Sequence, residues 1–173
     1  MKAAPAAPLV IGVIELLRRL GTRRDVDVHA ELDGLALTTS RVPEGEEVHV
    51  EVTLEAIAQS SLTATGTVTA AWEGECRRCL APVRGTLTAK VKDVFETSPV
   101  EGETYPLLGD HVDLEPMVRD VVLLHLPLAP LCSDGCAGPA PDVLPVVVAD
   151  DEEGTPDSPV DPRWSALEGL RFD

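Results

Sequence analysis

A chain of 173 residues with a formal net charge of −16 and 3% aromatic residues excludes several classes at once. The length suits one domain with a trailing segment, and the charge argues against a free-standing nucleic-acid binder, whose affinity comes largely from Lys and Arg. Scarce aromatics leave Val, Leu and Ala to build the core and provide no cage for an aromatic cofactor.

The first residues, MKAAPAAPLVIGVIELLRR, superficially resemble a signal peptide, but Pro8 and Glu15 interrupt the apolar run and Arg18-Arg19 closes it where small residues would be needed. The stretch is expected to belong to the fold. No apolar run reaches the roughly 20 residues that span a bilayer. The chain is therefore expected in the cytoplasm, where cysteines at CxxC spacing are more often metal ligands or redox thiols than structural disulfides.

Residues 9–13 are apolar and partly β-branched, which suits a short strand, and Ile14, Leu17 and Leu20 then recur at helical spacing. From Asp25 the period becomes two: Val26, Val28, Ala30 and Leu32 face one way, Asp27, His29 and Glu31 the other. Asp33-Gly34 predicts a type I′ hairpin turn with a return strand over residues 35–42. The alternation is cleaner in EVHVEVTL, where Val48, Val50, Val52 and Leu54 share a face. It continues in SLTATGTVTAAW, with Thr63, Thr65, Thr67 and Thr69 opposite Leu62, Ala64, Val68 and Ala70. Leu87, Ala89 and Val91 alternate with Thr86, Thr88, Lys90 and Lys92, so CRRC sits near the tip of a hairpin between two half-buried strands.

Residues 98–113 are turn-rich and polar and are expected to form an irregular connection. Asp113 can then cap a helix whose Pro116 is tolerated in the first turn. Leu114, Met117, Val118, Val121 and Val122 give that helix one apolar face. Pro127 and Pro130 end it, just before Cys132 and Cys136. Beyond, Pro, Asp, Glu and Gly dominate. The expected organisation is a β-rich domain over residues 1–136, a flexible acidic linker over 137–160 and a short terminal helix over 161–173. The fold class is α+β: a mainly antiparallel sheet or partly open barrel with one main packed helix and a flexible acidic tail.

Cys76 and Cys79, at C-x2-C spacing, and Cys132 and Cys136, at C-x3-C, allow two thiolates from each of two elements to converge on one ion. A shared Zn²⁺ site would use every cysteine and leave no open position for substrate, so its role would be structural. Metal-free thiols are the bland alternative. A redox role for Cys76 and Cys79 is a rival, since Arg77 and Arg78 would lower a thiol pKa. The histidines His29, His49, His111 and His125 are scattered and read as solvent-facing or capping. No GxSxG, glycine-rich phosphate loop or HExxH is present, and enzyme activity is not expected. Basic residues cluster at Arg18, Arg19, Arg23 and Arg24, and again at Arg77, Arg78, Arg84, Lys90 and Lys92.

GECRRCLAPV, a strand ending KDVFET, then DLEPMVRDVVLLHLPLAPLCSDGCAG and finally VDPRWSALEGL together resemble the bacterial YceD family of large ribosomal RNA subunit accumulation proteins. The resemblance implies a small cytoplasmic, non-enzymatic protein needed for large-subunit rRNA to accumulate. Its partner would be the rRNA precursor or a basic large-subunit ribosomal protein, with no membrane and no small-molecule substrate. Direct RNA contact would fall to Arg77, Arg78, Arg84, Lys90 and Lys92. The alternatives are a thiol redox sensor and a general protein-interaction scaffold. Cys76 and Cys79 match the family's CxRC pair, and Cys132 and Cys136 the first half of a second cluster that reads roughly C-x3-C-x3-C-x2-C-G. Ala140, Val143 and Leu144 stand where that cluster's remaining residues would be, so a self-contained tail site is lost.

Overall fold

The computed structural model describes residues 8–139 and Val143. The chain divides into two units, Met1–Pro139 and Ala140–Asp173. Apart from residues 137–139 and Val143, the expected linker and terminal helix lie outside the described residues.

The first unit is α+β, with an eight-stranded sheet curled into a half-barrel. In chain order the elements are β1 (Val10–Gly12), α1 (Ile14–Arg18), β2 (Arg23–Glu31), β3 (Ser40–Arg41), β4 (Glu47–Ala58), β5 (Ser61–Glu75), β6 (Pro82–Glu96), β7 (Tyr105–Leu108), β8 (His111–Asp113) and α2 (Glu115–His125). The sheet runs β1-β8-β7-β6-β5-β4-β2, with β3 joined to the end of β5. All pairings are antiparallel except β6 with β7. Among the described residues no helix is long and apolar enough to cross a membrane.

The three long strands form where period-two alternation is strongest. Val48, Val50, Val52 and Leu54 of β4 are buried, as are Leu62, Ala64, Val68 and Ala70 of β5 and Leu87, Ala89 and Val91 of β6. Against this inner face lie Leu114, Met117, Val118 and Val122 from the α2 segment, all fully buried. Each large side chain so placed contributes about 1.5–3 kcal/mol. The cap position of α2 is Leu114 and not the expected Asp113, whose carboxylate, one residue earlier, accepts from the Glu115 N–H at 2.9 Å. The Tyr105 hydroxyl donates to Asp120 at 2.8 Å and ties β7 to α2.

Two expectations are corrected. Asp33-Gly34 does make a turn, but only Gly34 has positive φ, whereas type I′ needs it at both positions. No return strand pairs with β2. Instead β4 pairs with β2 along all nine of its residues, from Arg23↔Glu55 to Glu31↔Glu47, burying Val26 and Ala30 opposite Val52 and Val48. Residues 35–42 fold on themselves: Val42 N–H donates to the Leu35 carbonyl at 2.9 Å and Leu37 N–H to that of Ser40 at 2.8 Å. The Arg119 side chain on α2 donates to the Asp33 carbonyl at 2.6 Å, which fixes the turn from the helix side. Nor is the 98–113 connection wholly irregular, since it contains β7 and β8. Both strands are too short to show a period, and β7 pairs with β6 through only Phe95↔Tyr105 and Glu96↔Pro106.

The curl has a local requirement at Gly66. A Cβ there would lie 2.7 Å from Val52 Cα and inside van der Waals contact with the Glu51 carbonyl oxygen. Both are backbone atoms that cannot turn aside, and a strand-interior glycine is used where one backbone closely approaches another. Gly66→Ala is therefore expected to destabilise by about 3 kcal/mol, lowering Tm by roughly 6–12 °C. Thr65→Ala, at the adjacent exposed position, should change Tm little; thermal denaturation of the two variants checks the contrast.

Candidate metal centre

The β5–β6 hairpin closes at Glu75 opposite Pro82, leaving residues 76–81 as its tip. Cys76 N–H donates to the Ala81 carbonyl and Leu80 N–H to the Cys76 carbonyl, both at 2.8 Å. Leu80 completes the turn at φ 61°, the left-handed region, where a side chain costs about 1–2 kcal/mol. The result is a knuckle whose Cys79 and Arg78 N–H groups converge on the Cys76 sulfur.

The chain leaving α2 is led across this knuckle by residues the sequence did not single out for the task. The Ser40 hydroxyl donates to the Pro127 carbonyl at 2.8 Å and the Thr39 hydroxyl to that of Leu128 at 2.9 Å. The Pro130 carbonyl then accepts the Arg77 N–H at 2.9 Å. Gly74 makes room for this crossing, since a Cβ would stand 3.3 Å from Pro130 Cγ and inside contact with the Thr39 carbonyl. The Arg78 guanidinium reaches past the knuckle to the carbonyls of Asp134 and Cys136, at 3.1 and 3.0 Å.

These constraints bring all four cysteines together, with every sulfur within 4.8 Å of the others. Cys76 Sγ lies 3.8 Å from Cys136 Sγ, and Cys79 Sγ 3.7 Å from Cys132 Sγ. They are free thiols, not disulfides. Four sulfurs at about 2.3 Å from one ion would form a tetrahedron of edge about 3.8 Å, so this set fits a tetrahedral cation. Electrostatics divide the four. The Cys79 N–H, with those of Cys132 and Arg78, holds the Cys76 pKa down at about 6 against the effect of burial. The Cys132 thiol is pushed up to about 12 by the neighbouring Cys136 and Cys79 sulfurs and by burial. Cys79 is also raised: the Ala81 N–H pulls it down, but the Cys76 sulfur, burial and Cys136 outweigh it. One thiolate is thus accommodated readily and further ones repel it; a divalent cation would reverse that balance.

The basic residues divide as well. Arg77 and Arg78 are exposed on the knuckle, with Arg78 committed to the second loop. Arg84, Lys90 and Lys92 lie on the exposed face of β6, and Arg84 pairs with Glu73 at 3.4 Å. Lys90 and Lys92 stand opposite Thr67 and Thr65. Of the histidines, His125 lies with Nδ1 2.8 Å from the Val121 carbonyl at the end of α2, in keeping with a capping role. His111 lies 3.0 Å from Asp110 and holds that carboxyl below its usual range.

The family model for the large ribosomal RNA subunit accumulation protein YceD matches residues 64–171, a stretch that includes all four cysteines. The chain belongs to the YceD family. It is 30% identical over 172 residues to an uncharacterized protein of Mycobacterium tuberculosis and to one of Mycobacterium bovis, covering 94% of this chain and 81% of each relative. A Mycobacterium leprae protein, also uncharacterized, is 28% identical over 93% of this chain and 76% of its own. No solved structure matches.

The thiol shifts set a pH profile for this YceD-family protein when metal-free and reduced. Cys76 is depressed in the folded state, so its contribution is present above the ordinary value of 9.0 and is lost as pH falls through about 6. Cys132 is raised, so its contribution is present below 9.0 and is lost as pH rises towards about 12. Stability carried by the cluster should rise from pH 6 to 9 and fall above 9. Cys76→Ser should remove the lower limb and shrink the fall above 9, since the Cys76 sulfur helps to raise Cys79 and Cys132; denaturant midpoints across the range check this.

Proposed function

We propose that this YceD-family protein is a non-enzymatic ribosome-biogenesis factor, acting in the cytoplasm to support accumulation or processing of large-subunit ribosomal RNA. We further propose that one structural Zn²⁺, held by Cys76, Cys79, Cys132 and Cys136, locks the β5–β6 tip to the segment after α2. The family match carries the ribosomal reading. Two sulfur–sulfur separations of 3.7 and 3.8 Å, in a set whose members all lie within 4.8 Å of one another, carry the metal reading, because a tetrahedral site has edges of about 3.8 Å. Four thiolate ligands leave no position for a substrate or an activated water, which favours a structural over a catalytic role.

The partner is the large-subunit rRNA precursor or a basic large-subunit ribosomal protein. A net charge of −16 favours the protein partner, since opposite charge speeds encounter. For RNA, the exposed Lys90 and Lys92 on β6 have no ion-pair partner among the described residues; Arg77 lies well apart from them at the hairpin tip, and Arg78 and Arg84 are engaged within the fold.

Protein purified without chelator should hold about one Zn²⁺ per chain by elemental analysis. Cys76→Ser should lose it and drop in stability by about 3 kcal/mol or more, on the order of 10 °C in Tm. Metal-free wild-type protein of unchanged Tm would end the metal reading. For the ribosomal reading, affinity-tagged protein should co-purify with large-subunit precursor particles or proteins. Lys90→Glu with Lys92→Glu should weaken that association severalfold if RNA is the contact and leave it unchanged if the partner is a basic protein. Recovery of neither particles nor large-subunit proteins would favour a general scaffold instead.

A further inference from the structure

The β2–β4 register sets His29 directly opposite His49 on the outer face of the sheet, with Asp27 opposite Glu51 on one side and Glu31 opposite Glu47 on the other. The two imidazoles are stacked, centroids 4.2 Å apart and planes 1° from parallel. His49 Nε2 lies 2.8 Å from Asp27 Oδ1. One donor atom each from Asp27, His29 and His49 falls within 4.8 Å of the others. Glu47 approaches His29 Nδ1 at 3.8 Å, and Glu51 approaches His49 Nδ1 at 3.9 Å.

Carboxylates directly opposite each other in an antiparallel pair are destabilising, and here two such pairs flank one histidine pair. Nothing in the packing requires this, since the six side chains face outward while Val28, Ala30, Val48 and Val50 serve the core side. A divalent cation at the centre would turn that repulsion into attraction. We propose that Asp27, His29 and His49 form a second metal site, taking a divalent transition-metal ion that favours imidazole and carboxylate donors, separate from the cysteine cluster.

The chemistry fits that class of ion. Imidazole with carboxylate suits Zn²⁺, Cu²⁺ and Ni²⁺, whereas the four sulfurs offer a softer set. Donors about 2.1 Å from one ion stand roughly 3–4 Å apart, so the present spacing needs only modest closure. The rings must turn from their stack for their lone pairs to converge. That rotation about a broad sp³–sp² torsion is cheap, and the side chains are 54% and 29% exposed, leaving room for it. The paired strands fix the backbone positions from which the donors project.

Ni²⁺ titrated into the full chain after a single equivalent of Zn²⁺, which the softer four-sulfur set takes first, tests the site without depending on the ribosomal reading, and the histidine readouts below locate the Ni²⁺ whether or not the cysteines hold the Zn²⁺. Titration calorimetry should give one Ni²⁺ per chain, weakened at least tenfold by His29→Gln and by His49→Gln and severalfold by Asp27→Asn. In ¹H–¹⁵N spectra of the imidazoles, paramagnetic broadening should strike His29 and His49 while sparing His111 and His125. Ni²⁺ should also raise Tm in the wild type but not in either histidine variant. Binding of equal affinity in both histidine variants would assign the ion to the carboxylates or sulfurs and overturn the proposal. So would millimolar Ni²⁺ leaving the His29 and His49 resonances sharp. Unchanged circular dichroism of the metal-free variants shows that losses come from the site.

Discussion

The hydrogen bond from Arg77 N–H to the Pro130 carbonyl marks the point where two stretches more than fifty residues apart become one structure. On one side is the tip of the longest hairpin, on the other the chain released by α2. A hairpin of two 15-residue strands is stabilised along its length by its ladder and its buried face, but its tip extends beyond both and needs separate support. The crossing strand of chain supplies it through backbone groups, and the side chains of Ser40, Thr39 and Arg78 hold the crossing from either side. Only with this done do the four sulfurs meet. The helix face buried on the sheet, Met117, Val118 and Val122, therefore has an indirect second role: it sets the direction in which the chain arrives at Pro130.

The outer face of the sheet explains how a strongly acidic chain can still present basic surface. Acidic side chains collect on β2 and β4, threonines occupy β5, and Lys90 and Lys92 stand on β6. Neighbouring strands are about 4.8 Å apart, so β6 is separated from β4, two steps removed, by about 10 Å and from β2, three steps removed, by about 14 Å. Both exceed the Debye length of about 8 Å at physiological ionic strength. The lysines are thus largely screened from the acidic edge, and the threonines between contribute hydrogen-bonding hydroxyls without charge. Net charge governs approach from a distance; what touches the surface meets its local sign.

Much of this was legible in the sequence, for identifiable reasons. β4, β5 and β6 each bury one full face, so their periods are strict and easy to read, and α2 shows its stripe because only one side of it packs. The two cysteine pairs were placed at a hairpin tip and past a helix, and the structure brings those positions together. The failures came where pairing is short or distant. Asp33-Gly34 carries a strong local hairpin signal, yet β4 offers β2 nine matched positions and the local return offers none that improves on them. β7 and β8 consist of four and three residues, too few for a period. Leu80 is the clearest miss: a leucine gives no sign of left-handed backbone, which here accompanies the turn closed by its own N–H to the Cys76 carbonyl and by the Cys76 N–H to the Ala81 carbonyl. The support from Thr39, Ser40 and the Pro130 carbonyl also left no motif, because its acceptors are main-chain groups that every residue possesses.

The way the site is assembled also determines how a cation would act on the fold. Small zinc modules are unfolded without metal because nothing else organises their ligands. Here the sheet, α2 and the Thr39–Ser40 contacts also help to place both cysteine pairs, so the loop between Cys79 and Cys132 is closed in part by the core. That part of the entropy of gathering the ligands is therefore charged to folding, not to binding. A cation bound at this site would add stability by the mass-action term that any ligand specific to the native state contributes. With Ala140 and Val143 in place of further cysteines, each pair supplies only two ligands, and neither can complete a tetrahedral site alone. Metal affinity and the docking of the post-α2 segment on the hairpin tip are consequently one equilibrium, and a change that loosens either must weaken both.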